Sequence, residues 1–314
     1  MKIKAITQAW VALLAISVAP GAIAATSALL SVSGIYSFGD SLSDVGNTSL
    51  ATAGALPGPA YFNGRYSNGP LWVEQLAVKY GKPAPTTAMT GGQDYAFAGA
   101  FTATTPVGGV PSIQLQATGY VSGGGTFLPT DLVTVWGGAN DFFFGNPTDF
   151  TTPAANIGNI ITTLAGGGAK NVLLLNLPNL GDLPETLANG AGAIAVGYNF
   201  SVGFNGLLTS MVPTLEANLG INIWLLDVFA IGTELHANPA AFGLTNLTEG
   251  ALPSGHAADA AQYAYWDGVH PTTQIQTLFG NRAYEKLITP EPSSIMILWV
   301  FGAGLLARRT RMAA

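Results

Sequence analysis

Four short apolar segments place the strongest constraint on how this chain folds. Each is six to eight residues long, and glycine, asparagine or aspartate stands at or beside its ends. Continuous apolar runs of this length are typical of strands that are buried on both faces of a parallel sheet. The four segments are residues 34–39 (GIYSFG), 131–137 (DLVTVWG), 171–177 (NVLLLNL) and 221–228 (INIWLLDV).

Segments with helical character separate or follow these predicted strands. They are residues 70–81, 154–164, 188–219 and 272–287. Strands that alternate with helices predict an α/β fold, in which helices cover both faces of a parallel sheet. With 314 residues, 48% of them hydrophobic, the chain is long enough to bury one large core. In such sheets ligands bind beyond the carboxyl ends of the strands.

The charge balance and the lack of cysteine exclude several kinds of function. Residues 25–289, the predicted folded domain, contain six basic and sixteen acidic residues and so carry a net charge of −10. A domain this acidic would repel DNA or RNA, so we expect no nucleic-acid partner. With no cysteine anywhere in the chain, neither disulfides nor thiolate chemistry is available.

The two ends of the chain have the composition of targeting segments. Residues 1–24 contain Lys2 and Lys4, then an apolar stretch, then Ala-Ile-Ala, which predicts a secretory signal cleaved after Ala24. A first buried helix is the alternative. Residues 290–314 begin with Pro-Glu-Pro, continue with thirteen apolar residues and end in an arginine cluster. This order resembles the PEP-CTERM sorting signal, which implies a short transmembrane segment and export in a Gram-negative bacterium.

Ser41 directly follows the first predicted strand, in the stretch YSFGDSLSDVGN. A serine at the carboxyl end of a strand can act as a nucleophile if a base takes its proton. From position alone, a turn or helix N-cap role is the simpler interpretation, and Ser43 and Asp44 are further candidates for capping.

Only three histidines could serve as that base. His236 reads as a loop residue, whereas His256 and His270 each have an aspartate three residues away, Asp259 and Asp267 respectively. A carboxylate one turn away can hold Nδ1–H and leave Nε2 free to face a hydroxyl. His270 also directly precedes the last helix, where a loop can return to the edge of the sheet.

Two further segments provide candidate donors for an oxyanion. Asn140 follows the second predicted strand in GGAND, and Gly99 lies in AFAGA, where the missing Cβ lets a backbone N–H approach a ligand. Taken singly, each is an ordinary turn or cap residue.

In this order, the blocks FGDSLSDVGN, AFAGA, GGAND and WDGVHPT resemble those of the GDSL esterase/lipase family, also called SGNH hydrolases. The segments YFNGRYSNGPLWVEQLA and NLPNLGDLPET are similar to its longer, secreted phospholipase or haemolysin-like branch. The resemblance implies a flavodoxin-like three-layer α/β/α fold with a parallel sheet of about five strands. It assigns Ser41 as nucleophile, Asp267 and His270 as its acid–base partners, and Ser41, Gly99 and Asn140 as oxyanion donors.

Aromatic residues stand beside two of the catalytic blocks. Phe142, Phe143, Tyr265 and Trp266 are therefore predicted to line a substrate pocket for an apolar acyl chain. The alternative is that they are core residues that hold the loops in place.

The sequence thus predicts a secreted serine esterase or lipase that works through an acyl-enzyme and needs neither a metal nor an organic cofactor. Its expected partners are a small-molecule or lipid ester and the export and sorting machinery, with transient membrane contact through the tail. The expected location is the cell surface or the extracellular medium. Two alternatives stay open: an esterase that removes acetyl groups from exopolysaccharide, and a non-catalytic surface or matrix-binding protein.

Overall fold

The computed structural model describes residues 31–289 of the chain. The predicted signal segment, residues 1–24, and the predicted sorting tail, residues 290–314, lie outside the described residues. Within residues 31–289, no helix is both long and apolar enough to cross a membrane.

The centre of the domain is a parallel sheet in which the strands lie side by side in chain order. All four predicted strands are confirmed, and every boundary lies within two residues of the predicted one. The strands are β1 (Ile35–Gly39), β2 (Leu132–Trp136), β3 (Asn171–Leu175) and β4 (Asn222–Leu226).

Within the described residues the sheet has four strands, so the expectation of about five is wrong by one. The segment beside β1, residues 93–97, makes only an isolated bridge between Ser37 and Asp94 and a few backbone hydrogen bonds with β1. The Asp94 carboxylate turns inward and accepts the backbone N–H of Val45 at 2.7 Å. Because this segment is tied to the loop after β1, it does not continue as a regular strand.

Nine α-helices lie within the described part of the chain. They are α1 (Asn47–Ala51), α2 (Trp72–Lys79), α3 (Ile113–Ser122), α4 (Ala139–Phe144), α5 (Thr151–Gly166), α6 (Pro184–Ala188), α7 (Gly190–Leu219), α8 (Val228–Ala237) and α9 (Thr273–Ile288). The four predicted helices correspond to α2, α5, α7 and α9, whereas α1, α3, α4, α6 and α8 were not predicted.

Side chains of the strands alternate between two hydrophobic cores. In β3, Val172 and Leu174 belong to one core with residues of α3, α5 and α7, while Leu173 and Leu175 belong to the other with residues of α2, α8 and α9. This alternation follows from the two-residue period of a strand. The predicted three-layer α/β/α arrangement is therefore confirmed.

A second, two-stranded parallel sheet lies apart from the main one and precedes the last helix. It consists of β5 (Asn246–Gly250) and β6 (Tyr263–Tyr265). Just after β6, the backbone N–H of Trp266 donates to the carbonyl of His270 at 2.7 Å, and that of Thr272 donates to Ala264 at 3.0 Å. These bonds fold residues 267–270 into a tight loop ahead of α9.

Candidate active site

Ser41 lies in a tight turn at the carboxyl end of β1. The Asp40 carbonyl accepts the N–H groups of Ser43 and Asp44 at 3.0 and 3.1 Å, and one Asp40 carboxyl oxygen accepts that of Leu42 at 3.0 Å. The strand before the turn runs close to its neighbour: a Cβ on Gly39 would lie 2.5 Å from the carbonyl oxygen of Trp136. Only glycine allows this approach, which brings the ends of β1 and β2 together.

Three side chains form a continuous chain of hydrogen bonds at this turn. His270 Nε2 lies 2.8 Å from Ser41 Oγ, and His270 Nδ1 lies 2.7 Å from Asp267 Oδ2. With the proton on Nδ1, the imidazole donates to the carboxylate, and Nε2 accepts the hydroxyl proton of the serine. The sequence separates Ser41 from His270 by 229 positions, and the fold brings them into contact.

The carboxylate of Asp267 is held firmly in its ionised form. Its Oδ1 accepts the backbone N–H groups of Val269 and His270 at 2.8 and 2.7 Å, and the hydroxyl of Tyr61 donates to Oδ2 at 2.7 Å. Burial acts to raise the pKa of Asp267, but attraction to the His270 imidazolium and these backbone hydrogen bonds outweigh it and lower the pKa to about 2.

Two backbone N–H groups beside Ser41 are available to a ligand. Within residues 31–289, the N–H groups of Ser41 and Gly99 have no hydrogen-bond partner, and both residues line one cavity. Gly99 has φ +79°, a left-handed conformation that favours glycine. Its position is set by the preceding residue, Ala98, whose N–H donates to Asp44 at 3.0 Å and to Thr48 at 2.8 Å.

The side-chain amide of Asn140 faces the same cavity from the first turn of α4. Its Nδ2 donates to the carbonyl of Ala100 at 3.1 Å and makes a longer contact, 3.5 Å, with Asp40 Oδ2. Burial raises the pKa of Asp40 to about 7, although the hydrogen bond from Leu42 and the charge of His270 oppose this. The second amide hydrogen of Asn140 is thus held only by a long contact.

The cavity at these residues has a volume of about 980 Å³. It runs inward to five apolar side chains that are each 5% exposed or less: Trp136, Val228, Leu235, Ile275 and Phe279. At its outer end, Leu56 and Phe144 also line it but are 50% and 75% exposed, so they mark its mouth. No lysine or arginine of the described chain lines this cavity.

Two of the four predicted pocket residues do not line the cavity, so the pocket prediction is corrected at Phe142 and Trp266. Phe142 is buried in the core against Phe200, and Trp266 packs edge-on against Tyr61. Successive residues of a helix or strand point in different directions, so neighbours on these elements cannot all face one cavity. Phe143 and Tyr265 do line it.

The other two histidines, His256 and His236, lie away from the cavity that Ser41 lines. His256 Nδ1 is 3.8 Å from Asp259 Oδ2, and both side chains are more than half exposed. His236 likewise pairs loosely with Asp182 at 3.8 Å, and neither histidine lines the cavity.

The capping candidates beside Ser41 have structural roles. Asp44 accepts the N–H groups of Gly46, Asn47 and Thr48 at the start of α1, although the N-cap residue of this helix is Gly46. The Ser43 hydroxyl instead accepts Trp72 Nε1 at 3.2 Å.

Sequence reasoning missed two aromatic residues of the site. Tyr61 donates to Asp267, and the ring of Tyr66 lies 5.0 Å from that of His270. Both belong to the segment YFNGRYSNG, which carried a family resemblance, but no spacing rule links it to a loop two hundred residues later.

The fold and the site define a class: a three-layer α/β/α domain with a Ser–His–Asp chain at the carboxyl edge of its sheet, as in SGNH hydrolases. The family model for the GDSL-like Lipase/Acylhydrolase matches residues 35–283. The chain belongs to this family.

Two relatives illustrate the similarity. The chain is 30% identical over 226 residues to a phosphatidylcholine-sterol acyltransferase of Aeromonas hydrophila, covering 70% of this chain and 65% of that protein. It is 27% identical over 271 residues to the thermolabile hemolysin of Vibrio parahaemolyticus, covering 80% and 63%. The chain thus spans less than two thirds of either relative. Among solved structures, a carbohydrate acetylesterase from Sinorhizobium meliloti is similar with a TM-score of 0.48 and 18% identity, covering 81% of this chain and 97% of that one.

Proposed function

We propose that this protein hydrolyses carboxylic esters through an acyl-enzyme on Ser41. The observation that carries the proposal is the unbroken chain from Ser41 Oγ to His270 to Asp267, with links of 2.8 and 2.7 Å, on the wall of a large cavity. A serine with a base in contact and a carboxylate behind that base is the arrangement that nucleophilic acyl transfer needs.

In the first half-reaction, Ser41 Oγ attacks the ester carbonyl carbon while His270 Nε2 takes the hydroxyl proton. The tetrahedral intermediate collapses, the bond to the alcohol oxygen breaks, and Nε2–H gives its proton to the leaving alcohol. In the second half-reaction, water attacks the acyl-enzyme with His270 again as base, and the acid is released. Asp267 stays ionised and holds Nδ1–H throughout.

The oxyanion of each tetrahedral intermediate needs donors that are already in place. The free N–H groups of Ser41 and Gly99 supply two of them. The third is the Asn140 amide hydrogen that otherwise makes only the 3.5 Å contact with Asp40. Donors arranged before the reaction stabilise the developing charge without a cost of reorganisation.

The cavity favours a neutral ester with an apolar acyl chain. Among residues 31–289, no lysine or arginine lines it to pair with a phosphate or carboxylate on the substrate, and its inner end is apolar. The segments around its mouth, residues 45–64, 95–130 and 142–148, contain no charged residue at all. The relative named as a phosphatidylcholine-sterol acyltransferase agrees with acyl-ester chemistry.

Labelling and a substrate series test this proposal. A fluorophosphonate probe should label the protein and should fail to label Ser41→Ala, which is the matched control. Across p-nitrophenyl esters, kcat/KM should rise about fourfold for each added methylene from acetate to a short or medium chain, because each buried methylene contributes about 0.8 kcal/mol. It should then fall as the chain exceeds the pocket.

Two results would contradict parts of the proposal. If the probe does not label the native protein, the protein is not a serine hydrolase and a binding role takes its place. If kcat/KM is highest for acetate, and the protein releases acetate from acetylated polysaccharide, the apolar acyl substrate is wrong and the carbohydrate esterase is right.

The proposal extends to export. Residues 1–24 are proposed as a cleaved secretory signal, and residues 290–314 as a sorting tail that stops in the membrane before a protease removes it near Pro290. Mass spectrometry of the protein from its native host should find a chain without either segment. A chain that ends intact at Ala314 would rule out processing of the tail.

A further inference from the structure

Tyr61 makes a contact with the catalytic carboxylate that the triad alone does not account for. Within the part of the chain that the structure describes, Asp267 accepts four hydrogen bonds, and three of them come from its own loop: the N–H groups of Val269 and His270, and His270 Nδ1. The fourth comes from the Tyr61 hydroxyl, 206 positions earlier in the chain, at 2.7 Å. It reaches Oδ2, the same oxygen that receives the imidazole N–H.

The segment that carries Tyr61 is tied to the catalytic loop at further points. The Ser67 hydroxyl donates to the carbonyl of Pro271 at 2.9 Å, the N–H of Thr273 donates to Asn68 Oδ1 at 2.7 Å, and the Thr273 hydroxyl donates to the carbonyl of Pro70 at 2.9 Å. These bonds set residues 61–70 against residues 267–273. Tyr61 therefore lies on a segment that hydrogen bonds hold against the catalytic loop, and not on a free loop.

We propose that Tyr61 is a positioning residue that holds the Asp267 carboxylate in register with His270 and sets the pH range in which the enzyme is active. This inference rests on the proposed esterase function. Tyr61 acts on Asp267, which in turn acts on His270.

Two donors, the Tyr61 hydroxyl and His270 Nδ1–H, share the Oδ2 atom of Asp267. When Tyr61 donates to Oδ2, part of the negative charge on this atom is neutralised, so the carboxylate stabilises a protonated His270 less than it otherwise would. Burial, and then the negative charge of Asp267, raise the pKa of Tyr61, so its hydroxyl stays protonated as a donor. Without Tyr61, Oδ2 would hold the imidazolium more strongly, and catalysis would need a higher pH.

Other ionisable groups also face the pair, and Tyr61→Phe leaves them unchanged. Asp40 interacts electrostatically with His270, and Tyr66 packs its ring on the imidazole and lies near Asp267. Glu185 of α6 lies beside Gly268 of the catalytic loop and lines the same cavity. The Tyr66 hydroxyl makes no hydrogen bond within the described part of the chain. Tyr66→Phe is therefore the matched control: it removes an equal hydroxyl from the same segment and leaves Asp267 with all four donors.

The test compares the pH dependence of kcat/KM for the native protein, Tyr61→Phe and Tyr66→Phe. In Tyr61→Phe the acid limb should move to higher pH by about half a unit to one unit, and kcat should fall about tenfold with a smaller change in KM. In Tyr66→Phe the acid limb should stay where it is. Phenylalanine keeps the ring contacts of Tyr61 with Tyr66 and Trp266, and thermal melting checks that the variants fold.

A second measurement does not depend on turnover. The proton NMR signal of His270 Nδ1–H can be identified by its loss in His270→Gln. This signal should move downfield in Tyr61→Phe, because the imidazole N–H no longer shares Asp267 Oδ2 with the Tyr61 hydroxyl. Superimposable pH profiles and an unmoved signal for folded Tyr61→Phe would overturn the inference. Probe labelling of the native protein would survive that outcome, so the failure of this inference is distinguishable from failure of the esterase function.

Discussion

Replacing Asp267 by asparagine changes one atom and should reverse the direction of the hydrogen bonds at the site. Asp267 Oδ1 accepts two backbone N–H groups, so the amide oxygen of the new side chain must occupy that position. The amide NH₂ then takes the place of Oδ2 and faces His270 Nδ1, 2.7 Å away in the native protein. An NH₂ group cannot accept a proton donor, so the imidazole proton moves from Nδ1 to Nε2.

The consequence for catalysis follows from the 2.8 Å contact between Nε2 and Ser41 Oγ. With its proton on Nε2, His270 donates to the serine and cannot take its proton. We expect kcat to fall about 10⁴-fold, which corresponds to about 5 kcal/mol of transition-state stabilisation. The KM should change little, because Asp267 hydrogen-bonds to His270 on the side of the imidazole that faces away from Ser41.

The assay is steady-state hydrolysis of a p-nitrophenyl ester, with circular dichroism to verify the fold. The chain offers a matched control in its second Asp/His pair, Asp259 and His256, which is exposed and 3.8 Å apart. Asp259→Asn should retain native activity. If Asp267→Asn keeps kcat within about tenfold of native while Asp259→Asn loses it, then the tautomer argument and the assignment of Asp267 are both refuted.

Three further results are expected. Ser41→Ala should abolish turnover, whereas Ser43→Ala should leave kcat/KM nearly unchanged. Chemical denaturation should show that Ser43→Ala costs about 1 to 3 kcal/mol of stability, because Trp72 Nε1 loses its acceptor. Equal losses of kcat/KM in both variants would contradict this expectation. Asn140→Ala should lower kcat by about 10² to 10³ in steady-state assays, and a change confined to KM would argue against an oxyanion role. Folding lowers the pKa of Asp267 from its ordinary value of 3.8 to about 2, so the ionised carboxylate stabilises the fold at pH values above 3.8. This contribution, on the order of 2 kcal/mol, is lost as the pH falls through about 2. In acid titrations followed by circular dichroism, Asp267→Asn should lose less stability at low pH than the native protein does. An equal loss of stability in the two proteins would count against the lowered pKa of Asp267.

Local sequence patterns were sufficient to predict the three layers of the fold. The strand segments of this chain are mostly apolar because both faces of the sheet are covered, and that pattern is visible without any tertiary information. The same holds for α5 and α9, whose apolar residues recur at helical spacing. Helices α3 and α8 were missed because α3 is interrupted by polar and glycine residues and α8 directly continues the apolar run of β4. The expected number of about five strands came from the family resemblance, and it is wrong by one because residues 93–97 pair with β1 only at an isolated bridge while Asp94 binds the loop after β1.

At the site, sequence alone pointed to Ser41, Asp267 and His270, because few bases are available and the four blocks keep their order. Their proximity is a property of the fold: strand β1 and the loop before α9 meet only when the sheet is assembled. The wall of the cavity was beyond sequence reasoning, since the direction of a side chain on a short helix or strand decides whether it faces the cavity. Tyr61 is the clearest case, because a hydroxyl and a carboxylate 206 positions apart leave no local pattern, and only the packed chain brings them within 2.7 Å.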